Sequence, residues 1–321
     1  MATEESDASS GDAPHPEIEG MLEMMSTMPS PPFRALSAEG ARTIAGEMFP
    51  LPDDPEPVGD VMDLLIPGPS GDLPIRVYVP EVEGPHPALI YLHGGGWVVG
   101  DTDMFDPTCR ALTNAAERIV VSVDYRLAPE HPFPAPVKDS YAAAEWVMEN
   151  AEAMQIDADR VAIGGDSAGG QLAASVAQLA RDRDGPSFER QVLIYPVTDY
   201  AFDTPSYEEN AEGYLLSKAD MQWFWEQYLR DEIDGRNPYA APLQANDLSD
   251  LPPATVVTCG FDPLRDEGAA YAEKLEEAGV DVNHIKYDDC IHGAIQMLVE
   301  PLKLTRAEEM IEDVAADLAA E

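Results

Sequence analysis

Between Val161 and Ser175 the chain passes from an apolar, β-branched run, Val161-Ala162-Ile163, through Gly164-Gly165-Asp166-Ser167-Ala168-Gly169-Gly170, into the helix-forming Gln171-Leu172-Ala173-Ala174-Ser175. Gly-x-Ser-x-Gly is a short pattern that gains meaning where a strand enters it and a helix leaves it. In that setting the turn is sharp and holds the serine in a strained backbone conformation, its hydroxyl outward. Gly165 and Gly169 are required because a side chain at either place would meet the neighbouring strand or helix. The helix that starts just after Ser167 points backbone N–H groups toward the hydroxyl. A serine hydroxyl is a poor nucleophile until a base takes its proton. A glycine-rich connector without chemistry would look the same in isolation. The reading therefore requires a base, an orienting acid and an anion-stabilising pocket elsewhere in the chain.

Ahead of the serine, Pro87-Ala88-Leu89-Ile90-Tyr91-Leu92 reads as a buried strand that ends in His93-Gly94-Gly95-Gly96-Trp97. Three successive glycines leave the backbone bare, so its N–H groups can approach a developing oxyanion. The pattern resembles the oxyanion loop of lipases and esterases. A flexible turn and a phosphate cradle compete with it, but no Gly-Lys-Ser/Thr follows to support the cradle. After the serine, the apolar run Ala254–Cys259 leads to Gly260-Phe261-Asp262-Pro263-Leu264-Arg265-Asp266. An aspartate just past a strand end can fix a histidine tautomer. Asp262 and Asp266 compete for that role. Asp262 is favoured because it is nearer the strand end, whereas Asp266 suits the first turn of the next helix.

Six histidines are available as the base. His15 lies in a polar N-terminal segment, His86 between two prolines in a loop, and His131 in a proline-rich stretch. His284 alternates with apolar residues in a strand, and His93 is expected to make a structural hydrogen bond to the glycine loop. Only His292, on a loop after the late strand Val282–Tyr287, completes the chain order serine, acid, histidine.

These segments, with Asp124-Tyr125-Arg126-Leu127-Ala128-Pro129-Glu130 and Ile291-His292-Gly293, resemble the hormone-sensitive-lipase-like esterase family of the α/β-hydrolases. The resemblance runs from about residue 60 to the C-terminus. It implies Ser167 as nucleophile, Asp262 as acid and His292 as base, with the backbone N–H groups of Gly95, Gly96 and Ala168 as oxyanion donors. It also implies a carboxylesterase for short- to medium-chain acyl esters that needs no cofactor. An amide or lactone hydrolase with the same triad, and a non-catalytic binding relative, are the alternatives. Ala294 departs from the family pattern, which usually has a bulky aromatic after the His-Gly pair.

The formal charge of −42 comes from 61 acidic and only 19 basic side chains, with lysine nearly absent. Such a surface repels itself in dilute buffer. Salt near 1 M shortens the screening length to roughly 3 Å and removes most of that repulsion. The expectation is a protein of an extreme halophile working in a high-salt cytoplasm. The same charge argues against nucleic acid and anionic membranes as partners. No apolar stretch approaches the ~20 residues of a membrane helix. The acidic N-terminus does not read as a secretory signal. Cys109, Cys259 and Cys290 lack metal-ligand spacing, so no metal site is expected, and an odd cysteine count suits a reducing compartment.

Val-, Ile- and Leu-rich strands near 60–66, 74–79, 87–93, 118–123, 160–164, 190–195, 253–259 and 281–287 alternate with helical segments. This predicts an α/β fold whose mostly parallel eight-stranded sheet carries helices on both faces. Helices are expected over 106–117, 136–151, 168–182, 266–278 and 304–319. Residues 56–200 and 241–321 form the catalytic core. Residues 201–240 read as a cap insertion, and residues 1–55 as an N-terminal segment joining that cap. Residues 1–14 read as disordered, followed by a short apolar helix with Met21, Leu22, Met24, Met25 and Met28. Trp97, Tyr195, Tyr214, Leu215 and Trp223 are candidate pocket residues beside the small-molecule ester, although most cap aromatics are expected to pack the cap onto the core. The final strand or helix could pair two copies into a homodimer.

Overall fold

The computed structural model describes residues 13–27 and 31–319. The expected disorder of residues 1–14 therefore falls, for residues 1–12, outside the described residues, as does Met28. Among the described residues the strands are β1 Asp60–Gly68, β2 Gly71–Val79, β3 His86–Leu92, β4 Ile119–Val123, β5 Ile156–Asp166, β6 Gln191–Ile194, β7 Ala254–Phe261 and β8 Val282–Ile291. They form one eight-stranded sheet in the order β1-β2-β4-β3-β5-β6-β7-β8. β2 runs antiparallel to β1 and β4, and every later pairing is parallel. The helices are α1 Pro16–Ser26, α2 Ala38–Met48, α3 Asp106–Ala116, α4 Ala135–Glu149, α5 Ala168–Asp182, α6 Pro205–Glu209, α7 Lys218–Tyr228, α8 Arg265–Glu277 and α9 Thr305–Ala319.

Strand period two divides the core between the two faces of the sheet. Ala88, Ile90 and Leu92 of β3 share one buried cluster with Val161 and Ile163 of β5 and with Val137, Leu172 and Leu275 from α4, α5 and α8. Leu89 and Tyr91 point the other way, into a cluster with Ala162, Leu112 of α3 and Met310 and Val314 of α9. The continuous apolar runs of the central strands follow from this burial on both sides. His86, read from sequence as a loop residue, instead opens β3 and is buried.

α5 is buried along almost its whole length, and Ala168, Gly169, Gly170, Ala173, Ala174 and Ala177 let it lie close against the sheet. α1 docks on the α9 side. Its Ile18 is wholly buried, and the Glu17 carboxylate accepts from the backbone N–H groups of Thr305 and Arg306 at 2.9 and 3.0 Å. α9 thus begins on a borrowed negative charge, favourable at a helix N-terminus. α2 starts at Ser37, whose hydroxyl accepts from Gly40 N–H. Arg42 of α2 reaches the core, donating to the carbonyls of Val98 and Ala128 and forming a two-bond pair with Glu130. α7 opens with a reciprocal Ser217–Asp220 capping box.

Candidate active site

The turn from β5 into α5 sets Ser167 at φ 54° and ψ −119°, a conformation that costs a non-glycine residue on the order of 1–3 kcal/mol. Crowding around the turn holds it there. A Cβ on Gly165 would lie 2.1 Å from the Leu92 carbonyl oxygen, and one on Gly169 only 1.8 Å from the same atom. Ser167 N–H donates to Ile194 O, and Ser167 O accepts from Val197 N–H, so the turn is tied to the end of β6 and to the segment just after it.

His292 follows β8 and brings its ring over Ser167. Nε2 lies 2.8 Å from Ser167 Oγ, and Nδ1 lies 2.8 Å from Asp262 Oδ2. Asp262 is wholly buried, and its other oxygen accepts from Leu264 N–H at 2.8 Å. A carboxylate accepting from Nδ1–H leaves Nε2 free to accept from the serine hydroxyl. Asp266 lies in the first turn of α8 and accepts from Ser206 N–H at 2.8 Å and Arg265 Nε at 2.8 Å. Burial works to raise its carboxyl, but those hydrogen bonds hold it below the ordinary range. It makes no bond to His292.

Gly95 and Gly96 border the same cavity as Ser167 and His292. Their N–H groups donate to no protein acceptor among the described residues. Ala168 is the first residue of α5, where backbone N–H groups lack intrahelical partners. His93 braces the glycine loop from behind. Its Nδ1–H donates to Gly94 O at 2.8 Å, and its ring stacks on Tyr125 at 4.2 Å. Burial pushes this imidazole down to about 4, so it is neutral at pH 7.

The cavity above Ser167 has a volume of roughly 100 Å³. Phe33, Ala45, Met48 and Phe49 from the N-terminal segment wall it on one side. Leu215, Leu216, Met221 and Phe224 from the 201–240 insertion wall it on another, and Val99, Met104 and Phe105 complete it. Of the five residues expected from sequence to line it, only Leu215 does. Trp97 is wholly buried, stacked 4.0 Å from Tyr228 and bonded through Nε1 to Gln171. Tyr195 packs behind His292, 4.7 Å between ring centroids; burial keeps its hydroxyl far above the ordinary range and therefore neutral. Tyr214 packs on Phe261, and Trp223 turns away to stack on Phe33. Successive residues of a helix point about 100° apart, and at this turn of α7 it is Phe224 that faces the cavity. Ala294 is wholly buried and does not border it. A wider groove along Asp53, Asp54, Ala111 and Ile311 shares no residue with this cavity. Among the described residues no three His, Cys, Asp or Glu side chains are arranged to hold a metal ion, and no helix is long and apolar enough to cross a membrane.

The strained Ser167, the His292 imidazole bonded on both sides and the unpartnered Gly95 and Gly96 N–H groups thus meet at one cavity. The chain belongs to the α/β-hydrolase fold family, whose pattern matches residues 89–296. It is 48% identical to the carboxylic ester hydrolase LipN of Mycobacterium tuberculosis over 74% of this chain and 65% of that protein. It is 42% identical to the esterase LipI of the same organism over 87% and 88% of the two chains. The structure resembles that of an ester hydrolase from the metagenome of Lake Arreo, with a TM-score of 0.90 and 41% identity over 95% of this chain and 98% of that one.

Proposed function

We propose that this protein is a carboxylic ester hydrolase that cleaves short- to medium-chain acyl esters through an acyl-enzyme on Ser167. The observation that carries the reading is one imidazole 2.8 Å from both a serine hydroxyl and a buried carboxylate. Ser167 attacks the ester carbonyl while His292 takes its proton, and Asp262 stabilises the imidazolium without being protonated. The tetrahedral oxyanion accepts from the N–H groups of Gly95, Gly96 and Ala168, each contributing on the order of 3 kcal/mol to the transition state. His292 then protonates the leaving alcohol, and water repeats the sequence on the acyl-enzyme. No step calls for a metal ion or an organic cofactor. The ester-hydrolase relatives support this substrate class, and a small, mostly apolar cavity favours neutral acyl groups.

In this reading residues up to 55 and the insertion 201–240 act together as a cap over the core formed by 56–200 and 241–321. Both segments wall the one cavity, which supports that division, while α1 packs on the α9 side. The charge of −42 supports adaptation to concentrated salt, and the three buried free thiols suit a reducing cytoplasm. β8, at the sheet edge and covered there, among the described residues, only where Asp289 O accepts from His15 N–H, is the strand through which a homodimer would pair. The test is release of p-nitrophenol from esters of graded acyl length in molar KCl, with and without a serine-reactive phosphonate. Turnover that the phosphonate abolishes is expected. No turnover of any ester at any salt concentration contradicts the reading.

A further inference from the structure

Asp166 adjoins Ser167, yet no step above uses it. Its carboxylate is wholly buried, a position an acidic side chain rarely occupies without partners. Donors from two other segments meet it. Oδ1 accepts from Gly94 N–H at 2.9 Å and from the Tyr91 hydroxyl at 2.8 Å, and Oδ2 accepts from Gln296 Nε2 at 3.2 Å. Gly94 lies one residue before the first free N–H of the glycine loop. Gln296 lies four residues after His292 and borders the cavity. Asp166 itself ends β5 and is joined covalently to Ser167. A single carboxylate therefore touches the turn of the nucleophile, the loop of the anion donors and the loop of the base. Contact with the glycine loop is so close that a Cβ on Gly94 would lie 2.3 Å from Asp166 Oδ2.

We propose that Asp166 is the positioning residue of this site: its carboxylate sets where the Gly95 and Gly96 N–H groups stand relative to Ser167 Oγ and, through Gln296, anchors the loop that carries His292. The proposal rests on the ester-hydrolase reading of Ser167. Oxyanion stabilisation depends on donors already in place before charge develops. Gly94, Gly95 and Gly96 have no side chains with which to fix themselves. A hydrogen bond to a charged acceptor is roughly twice as strong as a neutral one, so an ionised Asp166 holds Gly94 more firmly than an amide would. An asparagine here would also replace one of the two accepting oxygens with an N–H₂ donor.

The groups facing Asp166 are Tyr91, Tyr125, Tyr195, Cys109 and His292. Burial pushes the carboxyl up to about 6, against the pull of its Tyr91 and Gly94 donors and of His292. The ionised contact is thus half formed near that pH, grows as pH rises above it and is lost as pH falls below it.

Asp166→Asn is the direct test, with kcat and KM on p-nitrophenyl acetate and covalent labelling of Ser167 by a p-nitrophenyl phosphonate measured on folded protein. The expected result is a kcat lowered by about tenfold to a hundredfold with KM within about twofold. A folded variant that keeps kcat within about twofold overturns the proposal. Parent protein that the phosphonate does not label at Ser167 instead overturns the ester-hydrolase reading on which it rests. Should Asp166→Asn fail to fold, Tyr91→Phe removes one donor and a single oxygen atom without touching the cavity. It should move the acidic limb of kcat/KM to higher pH. A limb that stays in place while the melting temperature falls overturns the proposal and leaves Tyr91 a packing role only.

Discussion

Trp97 and Tyr228 lie face to face, 4.0 Å between ring centroids and 6° between ring planes. Trp97 follows Gly96 directly, and Tyr228 is the last residue of α7. The stack therefore joins the insertion to the glycine loop inside the molecule. Gln171 of α5 binds both rings, accepting from Trp97 Nε1 at 2.8 Å and from the Tyr228 hydroxyl at 3.4 Å.

Tyr228→Ala should cost about 3–5 kcal/mol of stability, as expected for removing a large buried ring, and should lower kcat as well, because the glycine loop loses its backing. Tyr228→Phe keeps the stack and loses only a long hydrogen bond, so it should cost less than about 1.5 kcal/mol. Denaturant unfolding in molar KCl measures both. Equal midpoints for Tyr228→Ala and the parent protein would contradict a supporting role for the stack.

The two aspartates near the end of β7 should separate sharply. Asp262→Asn leaves the imidazole without its orienting anion and should lower kcat by about 10⁴. Asp266→Asn disturbs only the start of α8 and its bonds to Ser206 and Arg265, and should leave kcat within about tenfold. Steady-state kinetics on one short ester decides, and the reverse ranking would exchange their roles.

Stability should depend on pH through two groups of opposite sign. His93, pushed down from 6.5 to about 4 by burial, favours the fold when neutral. Its contribution is present above pH 6.5 and lost as pH falls toward 4. Asp124, pushed up to about 6 by burial and by neighbouring Asp101 and Asp103, favours the fold when protonated. Its contribution is present below about pH 4 and lost as pH rises through about 6. Asp124→Asn should therefore gain stability relative to the parent at pH 7.5 and gain nothing at pH 4. Urea unfolding at the two pH values checks this, and an equal difference at both contradicts it.

Salt should stabilise the protein. With 61 acidic against 19 basic side chains, the melting temperature is expected to rise steeply from low to molar KCl as repulsion is screened. A flat or falling curve would remove the argument for salt adaptation.

The sheet and the convergence of Ser167, Asp262 and His292 were legible because their signals are local. Apolar runs mark the strands before Ser167 and Asp262, whereas His292 follows an alternating strand and is singled out by the chain order serine, acid, histidine. The cavity wall was not legible. Trp223, Phe224 and Trp225 are consecutive aromatics, and composition does not tell which one faces inward. Phe33, Met48 and Phe49 reach Ser167 from a segment more than a hundred residues earlier, a contact that leaves no periodic trace. Met104 and Phe105, just before α3, were missed for the same reason. Asp166 was visible in its motif, but its hold on Gly94 and Gln296 exists only once three distant loops have met.

The central claim is that Ser167 is the nucleophile. The most direct measurement is hydrolysis of p-nitrophenyl acetate in molar KCl by Ser167→Ala, with its circular dichroism matched to that of the parent protein. The account predicts a folded variant whose kcat has fallen by about 10⁶. A folded variant with a substantial fraction of the parent's turnover would contradict it and move the chemistry to another side chain.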